Sequence, residues 1–236
     1  NTFALRGNIF KLIGNRFSAG ISYDLRHDSH AVFDDKDMYD MPGKAGGTLI
    51  GLGPAFRYDS RNNTLFPARG SLLDITFQQY GLFKTGNYQY RQVRADYRKY
   101  FPLGRAANTS VLAVHGLIDA TWNGTVPFYA LPYFTGDRAF RGIWRNLYID
   151  QQIVALQAEF RSVFSKADPR FGYVIFAGVA DGANDFFRNY TADVKVAYGL
   201  GLRTQVLPKT RMYARLDYAM TSKGDYGVFG GIGVSF

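Results

Sequence analysis

The chain has 236 residues, 47% of them hydrophobic and 17% aromatic, with 26 Gly, 17 Tyr, no Cys and a formal charge of +9; its mean hydropathy is −0.18. No apolar run reaches the ~18 residues a membrane helix needs, and the lack of cysteine excludes a disulfide framework and thiolate metal sites. The Lys and Arg residues are spread along the chain and alternate with apolar ones, which fits the polar lumen of a transmembrane barrel better than a nucleic-acid-binding patch.

Thr2 to Ile13 reads as a strand, closed by the turn pair Gly14-Asn15 and followed by a second strand from Phe17 to Arg26. His27 to Lys44 reads as an exposed acidic loop, whose His27 and His30 match no metal-ligand spacing. From Thr48 the alternation is clear. Ile50, Leu52, Pro54, Phe56 and Tyr58 point to lipid, while Arg57 and Asp59 point inward. Pro54 has no N–H for the ladder and marks a candidate bulge. Asp59 to Gly70 is a turn, and Ser71 to Tyr80 the next strand, with Asp74, Thr76 and Gln78 inward.

Tyr88 to Phe101 places Arg94, Asp96 and Arg98 on one face. A dry soluble core would reject these three together, whereas a hydrated lumen solvates them at little cost. Thr109 to Ala120 carries His115 and Asp119 inward. The stretch Thr121 to Tyr148 holds no strand pattern but is rich in aromatic residues, among them Trp122, Phe128, Tyr129, Tyr133, Phe134, Phe140 and Trp144. Disordered segments are poor in aromatics, so this loop is expected to pack, and the barrel interior is the space available. The following strand is period-two, with Val154, Leu156, Ala158 and Phe160 on one face and Gln157, Glu159 and Arg161 on the other. Arg141 of the loop is expected to meet Glu159, or another carboxylate, on the inner wall.

Further strands are expected near Phe171–Asp181, Val194–Val206, Arg211–Thr221 and Tyr226–Phe236, adding Arg203, Arg211, Arg215 and Asp217 to the lumen charges. Short turns alternate with longer loops, as in transmembrane barrels. Eleven segments are visible. An even count is usual, so the fold expected is an all-β, transmembrane antiparallel barrel of about twelve strands, with residues 1–236 as one domain and loop 121–148 in the lumen. No Gly-x-Ser-x-Gly elbow, phosphate-binding loop or HExxH motif occurs, and no Ser is placed to act with His27, His30 or His115. A non-enzymatic protein without metal or cofactor is expected.

The stretch Gly51 to Gly81, with DSRNNTLFPARG, and the loop FTGDRAFRGIW resemble the bacterial surface antigen superfamily, the outer-membrane assembly and translocation barrels that include BamA, TamA and the two-partner-secretion transporters. Arg141 and Gly142, preceded by Phe140, match its Arg-Gly loop motif. Glu159 in AEFR matches a strand carboxylate that receives the Arg in relatives, and Phe236 is similar to a C-terminal assembly signal. The resemblance covers roughly Thr48 to Phe236. Ile143 stands where an aromatic is usual and Asp137 replaces a Gly. Phe176 stands where relatives carry a second acidic partner, and a short form without periplasmic POTRA domains is expected. The resemblance implies a bacterial outer-membrane location, contact with lipid and lipopolysaccharide, unfolded outer-membrane or secreted proteins as substrates, and no nucleic acid. It implies protein insertion or translocation. A passive pore or a scaffold barrel is the alternative, and the lumen arginines then predict anion preference.

Overall fold

The computed structural model describes residues 1–29, 41–103, 110–134, 140–143, 148–188, 190–207 and 212–236. His30, Asp137, Trp144 and Arg211 lie outside the described residues. Eleven strands form one antiparallel sheet in sequence order: β1 (Thr2–Leu12), β2 (Phe17–Asp28), β3 (Gly47–Asp59), β4 (Gly70–Tyr80), β5 (Tyr90–Pro102), β6 (Ser110–Trp122), β7 (Gln152–Val163), β8 (Phe171–Ala183), β9 (Lys195–Leu207), β10 (Met212–Thr221) and β11 (Tyr226–Ile232). The expected twelfth strand is not found among the described residues. Each visible segment became one strand, and the even count came from the habit of closed barrels rather than from a further segment.

The alternation explains why the sheet curls with its polar face inside. Outward positions such as Phe56, Ile118, Leu156, Ile175, Leu200, Leu216 and Val228 are large, apolar and exposed. Inward positions such as His115, Asp119, Gln157, Glu159, Arg203 and Asp217 are polar and buried. This inverts the soluble pattern and is the signature of a lipid-facing wall around a polar interior. Strands of 11 to 13 residues, tilted by ~40°, reach about 28–33 Å, enough to cross a hydrocarbon layer. No helix among the described residues is long and apolar enough to do so.

Three local features refine the expectations. At Pro54 the β3–β4 ladder is interrupted, with pairing at Leu52↔Gln79 and again at Ala55↔Thr76, but the register does not shift, so there is no bulge. A register shift occurs instead between Met212 and Tyr213, on the β9–β10 ladder. The last strand ends at Ile232, not Phe236. Gly233 has φ +92°, a conformation that L side chains rarely adopt, and turns the chain inward.

The edges of the sheet are β1 and β11. Both run from the long-loop end to the short-turn end, and no ladder joins them among the described residues. The polar positions of β1, β2, β4, β5 and β6 and part of the loop between β6 and β7 surround a cavity of about 800 Å³. The opposite half of the interior is filled.

Candidate functional site

The filling is the loop between β6 and β7. Phe134, Phe140 and Ile143 are buried against Leu117, Ile153, Ala155, Ala180 and Ala197 of the inner wall. The Phe134 and Phe140 ring centroids lie 5.9 Å apart. Burying a side chain of this size contributes ~1.5–3 kcal/mol, so apolar packing on both sides of Arg141 carries the arginine into the lumen. An isolated bridge between Tyr133 and Ile149 draws the two ends of the loop together. Gly142 follows with φ +106°, and a Cβ there would sit 3.0 Å from Thr221 Cγ2. That position therefore suits glycine twice over, by conformation and by space.

Arg141 is fully buried. Its Nη1 lies 2.5 Å from Glu159 Oε2 and 3.2 Å from Asp217 Oδ2, and its Nε donates to Gln157 Oε1 at 2.9 Å. Its guanidinium carbon lies over the Phe176 ring, 3.5 Å from the centroid. A guanidinium is a planar fork of donors with a weakly hydrated face, so carboxylates at its rim and an aromatic below match it chemically.

Neighbouring strands make room for these groups. Glu159 pairs with Ala113 of β6 on one side and Phe176 of β8 on the other, and Asp217 pairs with Gly201 of β9. A Cβ on Gly201 would fall 1.9 Å from Asp217 Oδ1. The absence of that one carbon is what lets Asp217 lie against the wall and reach Arg141. The acid that relatives are expected to carry in the place of Phe176 is thus supplied from β10, and the expected loss of the second acidic partner is corrected: Asp217 takes that part while Phe176 offers its ring.

Three more guanidinium groups join the same network. Arg161 Nε donates to Glu159, Arg203 Nη1 lies 2.5 Å from Asp217 Oδ1, and Arg215 Nη1 lies 3.2 Å from Asp217 Oδ2. The remaining lumen charges form separate groups. Arg94 pairs with Asp119 at 3.0 Å, while Asp96 accepts from Arg98 at 2.8 Å and lies 3.1 Å from His115 Nε2. They balance one another along the wall and do not touch Arg141. Sequence alternation put all of them inward, but it carried no signal for which acid each arginine would choose.

Phe236 takes a position that alternation did not predict. It is buried in the lumen among Ala68, Tyr100, Val111 and Ala113, with its ring 5.0 Å from that of His115. Its main-chain oxygen accepts from Arg161 Nη2 at 2.9 Å. The residue expected to end the final strand is thus part of the interior, tied to the Arg141 network through Arg161. Among the described residues, no group of three His, Cys, Asp or Glu could hold a metal.

The Omp85 superfamily domain matches residues 1–235. A search of curated proteins returns no match. Among solved structures, the fold is similar to the crystal structure of BamA from Haemophilus ducreyi lacking POTRA domains 1–3, with a TM-score of 0.70 at 16% sequence identity. The match covers 98% of this chain and 54% of that one, so the chain spans about half the length of the structure it resembles.

Proposed function

The chain belongs to the Omp85 superfamily, and on that premise we propose that it is a bacterial outer-membrane barrel that inserts or translocates other proteins, without enzymatic chemistry, its lumen closed by the Arg141 loop. The observation that carries this reading is the Arg141 seat. Ion pairs to two strands and a ring contact to a third hold the loop against the inner wall. A plug fixed in this way blocks free diffusion through half of the lumen, leaving the sheet edge as the place where a client chain is handled.

The edges support that assignment. Because β1 and β11 run in the same direction, an incoming strand of opposite direction pairs antiparallel with either. Unpaired ladder groups template such an addition. The clients are unfolded outer-membrane or secreted proteins, and the apolar outer wall contacts lipid and lipopolysaccharide. Depleting the protein and measuring insertion of outer-membrane proteins and secretion tests the proposal: both fall if it is right, and unchanged insertion and secretion reject it.

A second reading, a passive pore or scaffold, is favoured by the open polar cavity of about 800 Å³ beside the plug. Planar-bilayer conductance separates the two. Long-lived, anion-preferring channels favour the pore, and a closed or flickering barrel favours the plugged factor.

A further inference from the structure

Two pieces of chain enter the filled half of the lumen: the Arg141 loop, and the tail that follows β11. Gly233 N–H donates to Tyr213 O at 2.7 Å, and the residues after it lie outside the strand. A Cβ on Gly233 would meet nothing closer than Leu65 O at 4.0 Å, so the glycine serves its φ of +92° and not a close approach. It sets the point at which the tail leaves the wall.

Arg161 of β7 touches both pieces. Its Nε donates to Glu159 Oε1, the acid that holds the loop, and its Nη2 donates to Phe236 O at 2.9 Å. Its Nη1 donates to Pro67 O at 3.3 Å, in the β3–β4 turn. Its guanidinium carbon lies 5.6 Å from the ring centroids of Phe66 and Tyr100 and 5.7 Å from that of Phe236. Wall, turn and tail thus enclose one buried side chain. The Glu159 carboxylate in turn stands between two arginines. Oε1 receives Arg161, while Oε2 faces Arg141 Nη1 at 2.5 Å. The terminal torsion of a glutamate is soft, so the bond on Oε1 fixes where Oε2 points. Arg161 is a positioning residue for the Arg141 seat, and the tail helps to position Arg161.

We infer that Arg161 couples the tail to the plug: drawing Phe236 out of the lumen frees the guanidinium, lets Glu159 turn and loosens the Arg141 loop. The guanidinium suits this task because its planar fork holds Nε and Nη2 at fixed positions on two acceptors at once. The inference rests on the reading of the loop as a plug and gives that plug a release. A client strand that pairs along β11 and pulls on its end acts on the loop through Arg161. By linkage the coupling is reciprocal, so unseating the loop loosens the tail by the same factor.

The chain has no cysteine, so a single introduced one reports local opening through its rate of reaction with a maleimide. Ser235→Cys reports the tail and Ile143→Cys the loop, both at buried positions, in the full chain refolded in detergent without denaturant. Arg141→Ala is expected to speed labelling of the tail by about fivefold or more, and Phe236→Ala to speed labelling of the loop by the same factor. In an Arg161→Met background each increment is expected to shrink below about twofold, the limit of independent sites. Gly20→Ala, whose Cβ would stand 1.7 Å from Ile9 O in the distant β1–β2 pair, is expected to lower the unfolding midpoint and leave both rates unchanged. If Phe236→Ala does not fold, Arg141→Ala in the Ser235→Cys chain carries the test. Tail labelling indifferent to Arg141→Ala would overturn the inference, as would equal acceleration by Gly20→Ala. So would full coupling in Arg161→Met, which would then run directly through the Phe236 ring, 5.8 Å from the Arg141 guanidinium carbon. Labelling needs no client, so its failure leaves the insertion and secretion assays to judge the proposed function.

Discussion

Glu159→Ala and Arg141→Ala, made separately and together, read the charge balance of the plug directly. Glu159 touches three guanidinium groups: Arg141 at 2.5 Å, Arg161 in direct hydrogen bond, and Arg203 at 3.7 Å. Arg141 touches two carboxylates, at 2.5 and 3.2 Å. At an effective dielectric of ~20, each unit pair near 3 Å is worth about 5 kcal/mol before desolvation is subtracted. Removing Glu159 deletes two such contacts and a weaker third, and takes the nearest carboxylate from both Arg141 and Arg161. Removing Arg141 deletes two contacts but also relieves repulsion from the other arginines, and both acids keep partners. Breaking a buried pair costs ~3–5 kcal/mol when the survivor is stranded. Glu159→Ala belongs at the top of that range, and Arg141→Ala at about 2–3 kcal/mol, the cost of truncated packing and lost hydrogen bonds. Urea unfolding of the detergent-refolded barrel, followed by tryptophan fluorescence and by heat-modifiable gel mobility, gives both values, and the double variant gives their coupling. If Arg141→Ala is the more damaging, or the two are equal, Glu159 is not the hub of the network and the reasoning fails.

Gly201→Ala is expected to displace Asp217, since the added Cβ would stand 1.9 Å from its Oδ1; it should reproduce the stability loss of Asp217→Asn to within ~1 kcal/mol, with little further loss in the double variant. Gly142→Ala is expected to cost ~1–3 kcal/mol through its φ of +106° and the contact with Thr221, and to expose the loop to protease; unchanged digestion would count against the seat. Phe236→Ala empties a buried aromatic site and is expected to lower the unfolding free energy by ~3–5 kcal/mol, read from the same urea series. In the β7–β8 turn, hydrogen bonds from the Arg170 side chain and N–H hold the Asp168 carboxyl down to about 2. The folded value lies below the ordinary one, so this contact is fully present above about pH 4 and fades as pH falls through 2. An NMR titration should find the depressed midpoint, and Arg170→Gln should return it to the ordinary carboxylate range.

Alternation along the chain was enough to decide the architecture, because a wall with lipid outside and water inside must change polarity at every residue. Leu52 and Phe56 outside, Arg94, Asp96 and Arg98 inside, and the aromatic loop between β6 and β7 could all be read from order alone. The meeting of Arg141 with an inward carboxylate was expected too, with Glu159 named beside any other acid of the wall; the structure places Glu159 there. Asp217 could be assigned to the lumen but not to Arg141. It stands 76 residues further on, and its reach depends on a missing Cβ on a third strand, Gly201. Phe176 read as a lost acid and is a ring under the guanidinium. Phe236 read as the end of a strand, yet the single positive φ at Gly233 sends it into the lumen. Period-two order states which side of the wall a residue occupies. Which partner it finds across the lumen, and whether the charges there balance, is decided only when strands distant in sequence curl round to face one another.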